Sequence, residues 1–340
     1  MAAVEVVPIP YLTVQARCIQ ALTAQGVPED NARIQAELLL EAELRGRPSH
    51  GVMRLPRVVE RIRNGVADLV QTGLHAWRGS ALLQVDGAKG LGPVVAFAAL
   101  QAISARARET GLAAAVIHDS NHLGMLALYA ERVAQQGQIL IALSTSEALV
   151  HPWGGRRALI GTNPIAIGVP ATPLPFVLDM ATSAVSMGQV HDYATRGRPL
   201  QAGWALDSHG NPTVDAQAAT SGAIAPFGDA KGYALGLAFE VLVASLTASA
   251  TGTQVRGTLD SHQPCNKGDV FIVLEPASSA MADHITAYLD EIRACAPRDP
   301  GKPVVVPGDR AHLQRERSLR DGLLLAPSLW DAICGLAQST

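Results

Sequence analysis

A chain of 340 residues with 48% hydrophobic and 17% charged side chains is too apolar to remain disordered and long enough to divide a full core between two domains. Its formal charge of -3 is scattered, with no basic stripe interleaved with aromatics, which excludes a field that would draw nucleic acid or an anionic membrane. Cys18, Cys265, Cys295 and Cys334 stand far apart without a CxxC pair, which disfavours a zinc knuckle or a redox dithiol.

Met1 to Pro10 shows no basic start followed by an apolar signal core, and no later segment is an uninterrupted apolar run of membrane length. A reducing cytoplasm is therefore the expected location. The low charged fraction leaves apolar surface for a second subunit to cover, so a homodimer is expected.

Asp30 to Leu44 is predicted helical, with Ala32, Ile34, Ala36, Leu38, Leu39 and Leu40 on a broad buried face, and it stops at Arg45-Gly46. A second helix is predicted over Arg54 to Asn64, closed by Asn-Gly. Leu82 to Val85 reads as a strand before the turn Asp86 to Gly90. Helix Pro93 to Thr110 ends at Gly111, strand Leu112 to Ile117 follows, then helix Leu123 to Gln136 and strand Ile139 to Leu143, an α/β alternation. Short apolar runs cover Pro164 to Val169 and Pro175 to Asp179. Lys231 to Leu246 is a nearly uncharged helix that must be covered on most sides. Val270 to Leu274 reads as a strand, Ser278 to Ala294 as a surface helix and Arg310 to Arg320 as a charged terminal helix.

The sharpest chemical signal is Ser49-His50-Gly51 followed by Arg54. His50 titrates near neutral pH and Arg54 stays charged, so a helical turn from Gly51 would aim both at one small anion. Ser49 serves equally well as a helix cap, and Arg54 as half of a structural salt bridge. In His118-Asp119-Ser120-Asn121-His122, the four-residue spacing lacks the glutamate of HExxH, so no metal site is expected. His122 is better placed as a polar wall of an active site at the carboxyl end of a strand, or as a helix-start hydrogen bond. Tyr129 is expected to pack.

Gly161-Thr162-Asn163-Pro164 and Leu178-Asp179-Met180-Ala181-Thr182-Ser183 offer hydrogen bonds to a nicotinamide carboxamide and ribose, or form plain Asx and Ser/Thr turns. Lys231, at a helix start among small residues, suits a pyrophosphate, and Arg310 after Pro307-Gly308 could reach the adenosine end or form an ion pair. Gly87-Ala-Lys-Gly-Leu-Gly92 has the wrong spacing for GxGxxG, and GxxxxGK[ST] is absent. Any nicotinamide fold here is not Rossmann.

In this order, the blocks from Arg45 through Pro307-Gly-Asp-Arg310 closely resemble the type 2 malate/L-lactate dehydrogenase family, which includes sulfolactate dehydrogenases and piperideine/pyrroline-2-carboxylate reductases. The resemblance implies an α/β fold with a non-Rossmann NAD(P)-binding sheet domain, expected at 118–289. A helix-rich α/β domain is expected at 1–117, joined by 290–340. It also implies a homodimer, with NAD or NADP as cofactor. On matching positions it makes His50 the catalytic histidine, Arg54 the carboxylate ligand, His122 a second site histidine beside Ser49, and Thr162, Asn163, Pro164, Asp179, Thr182 and Lys231 cofactor contacts. Pro48, where relatives carry a polar residue, and Asp229, in a segment that relatives often read GGHKG, are departures. The expected reaction is reversible reduction of a small 2-oxo acid to a 2-hydroxy acid, without a metal. The alternative is reduction of a cyclic or N-alkyl 2-imino acid.

Overall fold

The computed structural model describes residues 6–338; residues 1–5, on which part of the amino-terminal reading rests, and 339–340 lie outside the described residues. The centre is a seven-stranded sheet in the order Leu74–Arg78, Leu82–Asp86, Leu112–His118, Gly268–Leu274, Ile139–Ser144, Ile165–Val169 and Phe176–Met180. Alternating strands and helices suggest parallel neighbours, and Leu82–Asp86 beside Leu112–His118 is such a pair. All other neighbours are antiparallel, because Gly268–Leu274 enters from late in the chain between Leu112–His118 and Ile139–Ser144 and opposes both. The missing glycine fingerprint and the sheet therefore agree: this is not a doubly wound Rossmann sheet.

Alternate side chains face opposite layers. On one face, Leu83, Val85, Ala113, Ala115, Ala142 and Phe271 pack against helices Gly92–Thr110 and Ala127–Gln135. Tyr129 is fully buried there, 5.7 Å from Phe271 between ring centroids, and its hydroxyl donates to the Leu123 carbonyl at 2.6 Å, as a packing residue should. On the other face, Val116, Leu143 and Val270 meet Val243 of helix Ala230–Thr247. Among the described residues this helix alone is long and apolar enough to span a bilayer by length and composition, yet it packs on the sheet and carries the buried Glu240. Its predicted cover is incomplete within one chain, since Leu235, Leu237, Val241, Leu242 and Leu246 are exposed.

A second core joins helices Tyr11–Thr23, Glu29–Leu44 and Leu55–Arg63 to the strand pair Val7–Ile9 and Leu323–Leu325 and to helix Pro327–Gln338. The helix expected from Leu123 starts only at Ala127, because the Gly124 N–H is taken by the His122 ring instead of entering a helical turn.

The two cores meet where helix Glu29–Leu44 runs out into the successive 3-10 turns Pro48–His50 and Val52–Arg54. Glu43 reaches under them, and its Oε2 accepts the Val52 N–H at 3.1 Å. A Cβ at Gly51 would collide with that carboxylate, so only glycine lets the turn lie this close. Burial pushes the Glu43 carboxyl up to about 7, against the lowering effect of the Val52 hydrogen bond. The folded state therefore binds the Glu43 proton more tightly than the unfolded chain. This contribution to stability is complete below about 4.5 and is lost as pH rises through about 7. Glu43→Gln should remove this loss, flattening the urea-unfolding free energy across that window by about 3 kcal/mol. An unchanged slope in the variant would contradict the assignment.

Candidate active site

The turn above Glu43 carries the first group of site residues. Arg54 Nε donates to the Ser49 carbonyl at 2.5 Å, and its two Nη groups make no hydrogen bond to any described residue. Ser49 Oγ lies 3.1 Å from His50 Nδ1. His122 arrives from the other layer, after strand Leu112–His118, and its ring centroid stands 5.7 Å from that of His50. The structure thus gathers Ser49, His50, Arg54 and His122, residues 73 positions apart in sequence at the extremes (122 − 49).

Several buried contacts seat His122. The Asn121 side chain donates to the Lys89 and Gly90 carbonyls and accepts from Arg61 Nε at 2.8 Å. Ser120 Oγ donates to Asp269 Oδ2 at 3.2 Å, and Asp269 pairs with the buried Lys267. A Cβ on Gly92 would run into the Asn121 and His122 carbonyls. The glycine cluster with the wrong fingerprint spacing therefore lets one backbone segment approach another. His118 groups with Asp86 and Asp119, away from His122.

Burial pulls the His50 imidazole down to about 3, aided by the positive charges of Arg54 and Arg47. His122 is held well below its ordinary value, first by burial and then by Arg54, His50, Lys267 and Arg57. Its Nδ1 accepts the Gly124 N–H at 2.8 Å, so the neutral ring carries its proton on Nε2. Burial and Arg57 lower the Arg54 guanidinium to about 10, which leaves it charged at neutral pH. The result is one cation and two neutral imidazoles, one with Nδ1 locked by a backbone N–H and the other with Nδ1 facing a hydroxyl.

Arg54 and His122 line a tight pocket of about 40 Å³ together with Gln35, Arg57, Arg61 and Thr258. A larger cavity of about 380 Å³ is lined by Arg47, Asp179, Met180, Arg310 and His312, among others. Its size suits part of a cofactor. The Arg47 and Arg310 side chains are exposed and make no hydrogen bond or ion pair with any described residue, a donor set that fits anionic phosphates, although the Arg47 charge also acts on Asp179. Asp179 Oδ2 accepts the Ala127 N–H at 2.8 Å, at the start of helix Ala127–Gln135. Burial nevertheless raises the Asp179 carboxyl.

The remaining cofactor candidates lie elsewhere. The Asn163 side chain is fully buried and donates to the Gly236 carbonyl at 3.0 Å and to Glu240 at 2.7 Å. Its Nδ2 thereby ties the 161–164 turn to helix Ala230–Thr247, while its Oδ1 is buried without a hydrogen-bond partner among the described residues. Thr182 Oγ1 donates to the Thr162 carbonyl at 2.9 Å, and Thr162 N–H donates to Ser146. These bonds tie the Thr162 and Thr182 segments together, with the Thr182 side chain against Gly236 of that helix. Lys231 is exposed on its first turn and lines neither cavity. Sequence reasoning missed Gln35, Arg47, Arg57 and Arg61. The first lay hidden inside an amphipathic pattern, and the arginines read as ordinary surface charge.

The sequence matches the family profile described as malate/L-lactate dehydrogenase over residues 9–334. It is 35% identical to an L-sulfolactate dehydrogenase of Methanothermobacter thermautotrophicus, over 94% of this chain and 93% of the relative. A delta(1)-pyrroline-2-carboxylate reductase of Ancylobacter novellus is 33% identical, over 96% of each. The crystal structure of a dehydrogenase from Sinorhizobium meliloti superposes with a TM-score of 0.95 at 49% identity, covering 98% of this chain and 99% of that one. With a non-Rossmann sheet, a histidine-arginine site and these likenesses, the chain belongs to the malate/L-lactate dehydrogenase family and is an NAD(P)-dependent oxidoreductase.

Proposed function

We propose that the chain interconverts a small 2-oxo acid and its 2-hydroxy acid at Arg54, His50 and His122. The observation that supports this best is the pair of partner-free Arg54 Nη groups beside two imidazoles whose centroids are 5.7 Å apart. Two parallel N–H donors match a carboxylate, and Nε is already committed to Ser49, so the guanidinium cannot swing away. When bound, the nicotinamide supplies or accepts hydride at the carbon next to that carboxylate.

His122 donates from Nε2 to the substrate oxygen and keeps its charge state throughout. In the oxidative direction His50 takes the hydroxyl proton while Nδ1–H donates to Ser49 Oγ; in reduction it returns that proton. The arriving carboxylate offsets the Arg54 charge, one of the named causes that keep His50 neutral, so anion binding favours proton uptake on His50.

The pyrroline-2-carboxylate reductase relative supports a second reading, reduction of a cyclic 2-imino acid, in which Arg54 makes the same contact and less acid catalysis is needed. A second copy of the chain covering Leu235, Val241 and Leu242 would complete helix Ala230–Thr247, so we infer a homodimer. The absence of a basic stripe favours no nucleic-acid partner, and a cytoplasmic location remains part of the same reading.

The deciding experiment follows reduced-nicotinamide absorbance with NADH and NADPH against 2-oxo acids and cyclic 2-imino acids. Turnover with imino acids alone would replace the first reading by the second. Arg54→Ala should lower kcat/KM by about 2–5 kcal/mol, since it removes a desolvated charge pair; unaltered kinetics would refute the carboxylate contact. His50→Ala should cut kcat roughly 10²- to 10⁴-fold while cofactor affinity stays near normal in a fluorescence titration. Because protonated His50 forms only near pH 3, kcat/KM for oxidation should show no acid limb from this residue around 6.5. Arg47→Gln removes one positive neighbour and should move the His50 limb upward from about 3. An acid limb of wild type near 6.5, unmoved by Arg47→Gln, would count against His50 as the base.

A further inference from the structure

A third core stands apart from the two that frame the site. Val150, Ile160, Val190, Leu200, Ala205 and Ile224 close a small lobe around helix Met187–Thr195, with strand Ala205–Leu206 paired to Pro212–Thr213 and Ala223–Ile224. Its main segment leaves the large sheet after Phe176–Met180 and returns just before helix Ala230–Thr247. The two crossings run side by side: Ser183 bridges Pro226, the Ala184 N–H donates to the Ala225 carbonyl at 2.8 Å, and the Phe227 N–H donates to the Thr182 carbonyl at 3.0 Å.

The helix of this lobe touches the catalytic turn. Its start is fixed by the Ser186 hydroxyl, which accepts the Gln189 N–H at 3.1 Å, and its rotation by Val190, fully buried in the lobe core. Gly188 stands two residues before Val190, roughly 200° around the helix, and so faces away from that core. What it meets is Ser49: a Cβ on Gly188 would lie 2.7 Å from Ser49 Cβ, well inside the separation at which two carbons pack. Gly188 has no positive φ, so its backbone would admit other residues, and alanine is the better helix former. The close approach to Ser49 is therefore what requires glycine.

We propose that Gly188 is a positioning residue: the bare backbone of the small-lobe helix is the stop that holds Ser49 in register with His50 and Arg54. Ser49 has two duties in the turn. Its hydroxyl lies 3.1 Å from His50 Nδ1, and its carbonyl accepts Arg54 Nε at 2.5 Å. A side chain at position 188 meets Ser49 and Ser186 first, so it disturbs the imidazole and the guanidinium only by displacing Ser49. The small lobe thereby becomes part of the site, although helix Met187–Thr195 lines neither cavity. This rests on the roles of His50 and Arg54 in the function proposed above.

A double-variant cycle tests this. Gly188→Ala should lower kcat on the order of 10- to 100-fold, the scale of a misplacement approaching one ångström, while nicotinamide affinity in a fluorescence titration stays within about twofold of wild type. Ser49→Gly removes the opposing Cβ, so adding Gly188→Ala in that background should lower kcat by less than about twofold more. In the Ser49→Ala background, which keeps the Cβ, the full Gly188→Ala loss should persist. Equal losses in wild type and Ser49→Gly, or no loss in wild type, would overturn the proposal. So would a Gly188→Ala protein that misfolds and is not recovered by Ser49→Gly. Calorimetric binding of oxamate, an unreactive monoacid, reads the Arg54 branch on the same four proteins without turnover: Gly188→Ala should weaken it about tenfold in wild type and less than about twofold with Ser49→Gly. If that coupling appears but no acid oxidises NADH or NADPH, the positioning of Ser49 stands and the proposed reaction fails.

Discussion

The Arg54 guanidinium spends one N–H on the Ser49 carbonyl, 2.5 Å away, and that bond ties the cation to the residue next to His50. An arginine on a free helix surface has many rotamers and would lose their entropy on gripping an anion. Here much of that loss is taken up by folding, since the same bond closes the 3-10 turns and Glu43 supports them from below. The pocket, the approach of His122 and the orientation of any bound acid all follow from this turn.

The cost of the arrangement is electrostatic. Arg54, Arg47 and Arg57 surround two imidazoles that burial alone already keeps neutral. Self-repulsion among such groups disfavours the empty folded state, and an incoming anion relieves it. The two histidines respond differently. The ring of His122 has one nitrogen locked by a backbone N–H, so it offers one proton in one direction. The neighbour of His50 is a hydroxyl, which donates or accepts, so that ring can change protonation state without losing its hydrogen bond.

Local signals made much of this legible. The helix ending near Arg45, the Ser49-His50 turn and Arg54 within one turn of it are short-range features written in residue type and spacing. The absence of a glycine fingerprint was equally readable, and the sheet agrees. What escaped depends on partners distant in sequence. Nothing in the local sequence of Asn163 shows that its Nδ2 is bound by Gly236 and Glu240, more than seventy residues later. Helix 127–135 starts late because a histidine ring intercepts one backbone donor, an event periodicity does not record. Gln35 and Arg57 carry no motif; only the pocket they share distinguishes them.

Strand Gly268–Leu274 has a consequence for how the chain comes to be folded. It lies fourth in the sheet but is the last of the seven strands to leave the ribosome. Until it arrives, Leu112–His118 and Ile139–Ser144 border a gap one strand wide, each with an open backbone edge rich in alanine, valine and leucine. The joining strand starts 88 residues after the sixth strand in chain order ends, from Met180 to Gly268, so the two half-sheets lack the piece that joins them until late in synthesis. Pairing across so long a separation is slow to form. Before that pairing, contact between copies of the chain would compete with folding at these two edges, which the finished sheet closes on both sides of Gly268–Leu274.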